Sequence, residues 1–191
     1  MEQEKLLKKI AGILHKLDIP YIITGGVAVV IWGRPRFTAD IDIVIELMPG
    51  KIRQLAEELL QVDKDVYVDR ASIQNAIQRQ GEFNFIHSSS GLKVDFWVLK
   101  NDQFDKERMK RRIKEVIAGI PVFITTPEDL ILIKLMWYQK TESTRQLEDI
   151  ESIITIQKKL DWRYLQKWAN IQSTATILES VKKKIKKHET F

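Results

Sequence analysis

The sequence predicts an α/β (α+β) fold, with a small mixed β-sheet flanked by helices and a helical C-terminal half. Two observations carry that prediction. Up to residue 125, short apolar runs with period-2 alternation fall between segments of helical spacing. From Thr126 onward the helical spacing continues alone. The chain has 191 residues, 44% of them hydrophobic, enough for one sizeable core with a helical extension. The expected division is an α/β core over residues 1–125 and a helical region over 126–191 packed on it.

Residues 2–17 form the first helix, because Leu6, Leu7, Ile10, Ile13, Leu14 and Leu17 recur on one face. Tyr21–Thr24 is a short strand leading into the turn Gly25-Gly26, and Val27–Trp32 is a short apolar helix. Gly33, Pro35 and two arginines break that helix, and Phe37–Glu46 is the second strand. Pro49-Gly50 turns the chain into a helix carrying Ile52, Leu55, Ala56, Leu59 and Leu60. Val66 and Val68 mark a short strand, and Ala71–Gln80 a helix. Phe83–Ile86 and Leu92–Leu99 form a hairpin closed by Ser88-Ser89-Ser90-Gly91. Ile113–Ile117 and Val122–Ile124 pair around Gly119 and Pro121. Thr126-Pro127-Glu128-Asp129 is a helix start: a capping Thr, Pro at the first position and a carboxylate three residues after the cap. Leu147, Ile150, Ile153, Ile154 and Gln157 outline the next helix, and Asp161 caps one carrying Trp162, Leu165 and Trp168.

Composition excludes several function classes. Cysteine is absent, so thiol catalysis, disulfides and cysteine metal sites are ruled out, which fits a reducing, cytoplasmic compartment. No apolar run is long enough to span a bilayer, and the amphipathic N-terminus does not read as a signal peptide. His15, His87 and His188 are scattered, so no histidine metal cluster or Ser-His-Asp arrangement is expected. The net charge is +5, but Lys182, Lys183, Lys184, Lys186 and Lys187 against Glu189 place +4 of it in the tail. The remainder is close to neutral, and the tail reads first as a solvated helix end, with nucleic-acid contact as the alternative.

The chemistry concentrates between Ile23 and Glu46. Asp40 and Asp42 are two apart on a strand and share a face, leaving Ile41, Ile43 and Ile45 for the core. Adjacent like charges are unfavourable unless a cation sits between them. The Gly25-Gly26 turn lets backbone N–H groups approach phosphate. Together these features point to a divalent metal and a nucleoside triphosphate. Asp95 is a lone carboxylate in the apolar strand Leu92–Leu99; placed beside the Asp40/Asp42 strand it makes a third ligand suited to Mg²⁺ or Mn²⁺. Its rival reading is a strand-edge charge paired with Lys93. Lys134 lies in LILIKLMW, apolar nearly all round, so its ammonium either snorkels to water or, buried, needs a partner: a substrate phosphate, a catalytic carboxylate or Asp149 on the following helix. Arg145 and Asp149 are four apart and can pair on one helix face; since Asp149 adjoins the apolar Ile150, the other reading is a place at the edge of the site. Arg34 and Arg36, in a proline-containing loop, suit phosphate oxygens or are ordinary surface arginines, and Thr38 beside them is a further nucleotide-binding candidate. Lys106–Lys114 carries six basic residues and one acid, either as a solvated helix face or as a surface that steers a polyanion.

Gly25-Gly26 followed by Asp40-x-Asp42 resembles the nucleotidyltransferase superfamily that shares its fold with DNA polymerase beta. GGVAVVIWGRPRFTADIDIVIE, TPEDLILIKL and RQLEDI are similar to a bacterial branch that includes abortive-infection toxin nucleotidyltransferases. The resemblance runs in order through roughly residues 20–155. It implies Mg²⁺-dependent transfer of a nucleoside monophosphate from a triphosphate to RNA, a protein side chain or a small molecule. It also implies a toxin role with an antitoxin partner. Gly25 and Gly26 would cradle the triphosphate, Asp40, Asp42 and Asp95 would bind metal, and Asp95 would serve as base. Lys134 would contact phosphate or the site's carboxylates. Gly26 departs from the commoner Ser, whose hydroxyl can touch phosphate. The rival readings are a nucleotide-binding module without turnover and an antitoxin-like interaction protein.

Overall fold

The computed structural model describes residues 2–117 and 119–189, the side chains of His188 and Glu189 excepted. The chain forms two compact units. The first takes residues up to Val27 together with Phe37–Thr125; the second takes Ala28–Arg36 and the chain from Thr126 on.

The first unit begins with helix α1 (Gln3–Lys16), which buries Leu6, Leu7, Ile10, Ala11 and Leu14. Strand β1 (Tyr21–Thr24) runs directly into α2 (Gly25–Trp32), so the helix begins on the two glycines, ahead of the expected Val27. Glycine weakens helix interiors, but in a first turn its flexibility costs little. Strand β2 (Asp40–Ile45) is shorter than expected. Residues 37–39 stay outside the ladder, and the carbonyls of Thr38 and Ala39 take hydrogen bonds from the Gln3 amide at 3.1 and 3.3 Å.

A single turn of 3₁₀-helix at Pro49–Lys51 leads into α3 (Ile52–Leu60), and β3 (Val66–Tyr67) is followed by α4 (Arg70–Arg79). The hairpin is β4 (Glu82–His87) and β5 (Leu92–Val98). Helix α5 (Gln103–Arg111) then precedes β6 (Ile113–Ile117) and β7 (Ile120–Ile124). The sheet has seven strands in the order β3-β4-β5-β2-β1-β7-β6. It is mixed: β2 runs parallel to β5 and antiparallel to β1, while β1 runs parallel to β7. One face is apolar, with Phe83, Phe96, Ile43, Ile23 and Ile124 following one another across five strands. The Phe83 and Phe96 rings stack there at 4.8 Å. Burial of such a row is the main force holding the sheet together.

In the second unit, α6 (Pro127–Thr141), α7 (Thr144–Ile156), α8 (Trp162–Ile171) and α9 (Ala175–Glu189) follow one another. Thr126 caps α6: its hydroxyl accepts from the Asp129 N–H at 3.1 Å and donates to the Asp129 carboxylate at 2.7 Å. Asp161 caps α8 through the Tyr164 N–H at 2.9 Å. The basic segment 106–114 is only partly a solvated helix face. Arg108 is buried on Asp105 at 2.8 Å, and the Arg112 guanidinium lies 4.8 Å from the Phe123 ring centre.

Candidate active site

The face of the sheet opposite the apolar row carries a polar row one residue along. Asn84 on β4, Asp95 on β5, Asp42 on β2 and Thr24 on β1 are consecutive register partners. Partners directly opposite one another project to the same face, so these four side chains line up. Asp40 lies two residues from Asp42 on that face, opposite Lys93. Strand β5 is interior, between β4 and β2, so Asp95 is not a strand-edge charge. Yet it does pair with Lys93, whose Nζ lies 2.9 Å from Asp95 Oδ2, while the Asn84 amide donates to Asp95 Oδ1. The hydrogen bond to Asp95 raises the Lys93 pKa, against the effect of burial, and the charges of Asp95, Asp40 and Asp42 add to the rise. A lysine in this place stays charged throughout the neutral range.

Asp42 is seated against the glycines. A Cβ on Gly25 would come within 1.9 Å of Asp42 Oδ2, and φ at Gly25 is +60°, where a side chain is strained in any case. A Cβ on Gly26 would meet Thr38 Oγ1 at 2.1 Å. The space a side chain would take here is thus used by Asp42 and Thr38, beside the N–H groups of the first turn of α2, which have no partner within the helix. Thr24, the residue before the glycines, is 6% exposed, and its Oγ1 has no hydrogen-bond partner. An orphaned buried hydroxyl costs about 1–3 kcal/mol unless something entering the site serves it.

These observations fit a metal and a phosphate: two carboxylates on one face, a side-chain-free cradle and a waiting hydroxyl. Among the described residues, no three His, Cys, Asp or Glu side chains are grouped closely enough to hold a metal by themselves. The ammonium of Lys93 already occupies one oxygen of Asp95.

The other expected site residues assemble in the second unit around Asp149. Arg36 grips it with two nitrogens, Nε to Oδ1 at 2.7 Å and Nη2 to Oδ2 at 2.9 Å. Lys134 Nζ lies 2.6 Å from Asp149 Oδ2 and donates to Gln146 Oε1 at 3.0 Å. Of the three partners open to Lys134, the structure shows Asp149. Burial would raise the Asp149 carboxyl, but the hydrogen bond from Arg36, the charge and hydrogen bond of Lys134 and the charge of Arg36 outweigh it and hold it below the usual carboxylate range. Arg36 and Lys134 thus both contact the one carboxylate of Asp149. In the same unit Ser152 Oγ accepts from the Arg34 N–H and would lie 2.5 Å from a Cβ on Gly33. That contact fixes the start of the arginine loop.

The family model described as a nucleotidyltransferase of unknown function, DUF6036, matches residues 3–190. The chain belongs to this nucleotidyltransferase family. Its fold is similar to that of ANT(2″)-Ia in complex with adenylyl-2″-tobramycin, with a TM-score of 0.61 at 16% identity over 90% of this chain and 97% of that one. It is also similar to the lincomycin-bound lincosamide antibiotic adenylyltransferase LnuA, with a TM-score of 0.55 at 12% identity over 82% of this chain and 99% of that one. An antigenic nucleotidyltransferase-like protein from Paracoccidioides brasiliensis has a TM-score of 0.52 at 20% identity, over 94% and 91% of the two chains. No curated protein sequence matches the chain significantly. This nucleotidyltransferase has no helix, among the described residues, long and apolar enough to cross a membrane.

Two members of the polar row escaped the sequence. Thr24 ends an apolar run and carries no charge to draw attention. Asn84 did leave a signal, as the polar residue between the two phenylalanines of EFNFIH.

Proposed function

We propose that this nucleotidyltransferase moves a nucleoside monophosphate from a metal-bound nucleoside triphosphate to an acceptor hydroxyl, releasing pyrophosphate. The observation that carries the reading is the seating of Asp42 against Gly25, one strand from Asp95 and in line with Thr24. Asp40 and Asp42 would hold Mg²⁺ or Mn²⁺, hard ions that take carboxylate and phosphate oxygens together. When bound, the ion would neutralise phosphate charge and polarise the α-phosphate for attack.

The protein's own residues supply the remainder. The N–H groups at Gly25 and Gly26 face the triphosphate with no Cβ between. Thr24 and Thr38 offer hydroxyls on either side, so Thr24 takes over the role that Ser at position 26 would otherwise have. Asp95 receives the proton of the acceptor hydroxyl as its oxygen bonds to the α-phosphorus. The bridging P–O bond to the β-phosphate breaks, and pyrophosphate leaves with the electron pair. Arg36 and Lys134, expected to contact the nucleotide, hold Asp149 and with it the shape of the second unit.

The acceptor is RNA, a protein side chain or a small molecule. The similar folds bound to adenylyl-2″-tobramycin and to lincomycin make small molecules the first acceptors to try. The test is incubation with each α-labelled triphosphate, Mg²⁺ and either cell extract or such acceptors. Label moves with the wild type and not with Asp42→Asn; equal transfer by both sinks the reading. A module that binds without turnover would instead show triphosphate binding by calorimetry and no labelled product under any metal. The toxin role follows the resemblance alone; growth arrest on expression, relieved by Asp42→Asn or by a co-expressed neighbouring protein, is its test.

A further inference from the structure

The mechanism above leaves one charged group of the site without a task. Lys93 stands on β5 opposite Asp40 and two residues before Asp95, on the same face as both. Its Nζ contacts Asp95 Oδ2 at 2.9 Å, and Asn84 holds the other Asp95 oxygen. Both oxygens are therefore engaged by donors of the chain, and a metal bridging Asp95 to Asp42 would have to displace the ammonium. Three carboxylates and one ammonium leave a charge that one divalent ion balances, whereas three carboxylates alone leave room for more. Asp95 is the carboxylate that the Lys93 ammonium contacts.

We propose that Lys93 is a built-in second cation, holding at Asp95 the place a second metal ion would take, so that the centre works with one divalent ion on Asp40 and Asp42. This rests on the reading of that pair as a metal site. Lys93 is a positioning residue: it orients Asp95 toward the attacking hydroxyl and offsets negative charge on the acceptor side. One consequence is an acceptor subsite that needs no hydroxyl bound to metal. Another is a reaction first order in metal once the triphosphate is saturating.

The test counts ions. Mn²⁺ bound per chain is measured by electron paramagnetic resonance of the free ion, with Mn²⁺ alone and with Mn²⁺ plus α,β-methylene-ATP. Wild type, Lys93→Arg, Lys93→Gln and Asp42→Asn are compared, each checked for a cooperative thermal transition. The expected result is one ion in wild type and Lys93→Arg, two in Lys93→Gln, and none in Asp42→Asn. Two ions in the wild type, or one in folded Lys93→Gln, overturns the role of Lys93 and leaves the metal pair standing. No ion in the wild type under either condition overturns the metal pair and the role of Lys93 with it. Lys93→Arg keeps the charge, so it separates loss of the cation from simple damage to β5.

Discussion

At the scale of single residues, the site is defined by what cannot be added to it. Gly25 combines a φ of +60° with an Asp42 oxygen where its Cβ would be. Gly25→Ala therefore forces Asp42 to move by more than an ångström, and a misplacement of that size costs about 10²-fold in rate. The measurement is transfer rate against metal concentration: Gly25→Ala loses rate and also binds Mn²⁺ more weakly, because Asp42 is the displaced group. Thr24 predicts the opposite balance of stability and activity. Its buried hydroxyl has no partner, so Thr24→Val removes a penalty while keeping the shape. Thermal unfolding of Thr24→Val should match or exceed the wild type, while kcat/KM falls about tenfold, the worth of one hydrogen bond to a charged phosphate. A Thr24→Val variant that is destabilised with unchanged kcat/KM would make Thr24 an ordinary core residue.

At the scale of elements, period-2 alternation was enough to put Asp40 and Asp42 on one face and the three isoleucines on the other. It could not supply the neighbours of β2, because strand order depends on long-range pairing that local pattern does not encode; the alignment of Asp95 with Asp42 is a fact of register. The start of α2 lies two residues before the Val27 that the sequence predicts, because Gly25-Gly26 reads as a turn, although glycines are tolerated in a first turn. Lys134 announced its need for a partner, and Asp149 was among the candidates. Arg36 lies 113 residues from Asp149 in sequence, so the bidentate grip was beyond reach. That grip joins α7 to α6 and to the arginine loop within the second unit, and it predicts an acid-sensitive stability. The native Asp149 carboxyl titrates below its unfolded value of about 3.9, so its contribution is complete above that value and fades as pH falls through the lower native value. Asp149→Asn removes the carboxylate charge that Arg36 and Lys134 share in a mostly buried place and should cost about 3 kcal/mol at neutral pH. Urea unfolding of the two proteins should differ by that amount at neutral pH and converge on acidification. A difference that persists in acid would mean that the carboxylate charge is not what holds the network.

At the scale of the whole molecule, the charge distribution separates what the chain does at its site from what it attracts. The sequence pI is about 9.3, yet +4 of the +5 net charge falls in the last ten residues. The tail lysines on α9 are not equivalent. Lys182 pairs with Glu179 at 2.9 Å and sits 4.9 Å from the Trp162 ring centre, and Lys184 pairs with Glu151 at 2.6 Å. Lys183 and Lys187 are exposed on the same helix. Lysines already committed to a carboxylate release fewer counterions on meeting a polyanion, so Lys183 and Lys187 should dominate any nucleic-acid contact by the tail. Each phosphate contact with a single strand contributes about 0.7 to the slope of log K against log salt. Replacing Lys183 and Lys187 with Gln should therefore lower that slope for single-stranded RNA by about 1.4, whereas the same change at Lys182 and Lys184 moves it less. Mn²⁺ binding at Asp40 and Asp42 should be unaffected in both variants, because neither pair of lysines lies on the sheet. If the slopes of both variants equal that of the wild type, the tail is a solvated helix end and any RNA acceptor must be recognised elsewhere.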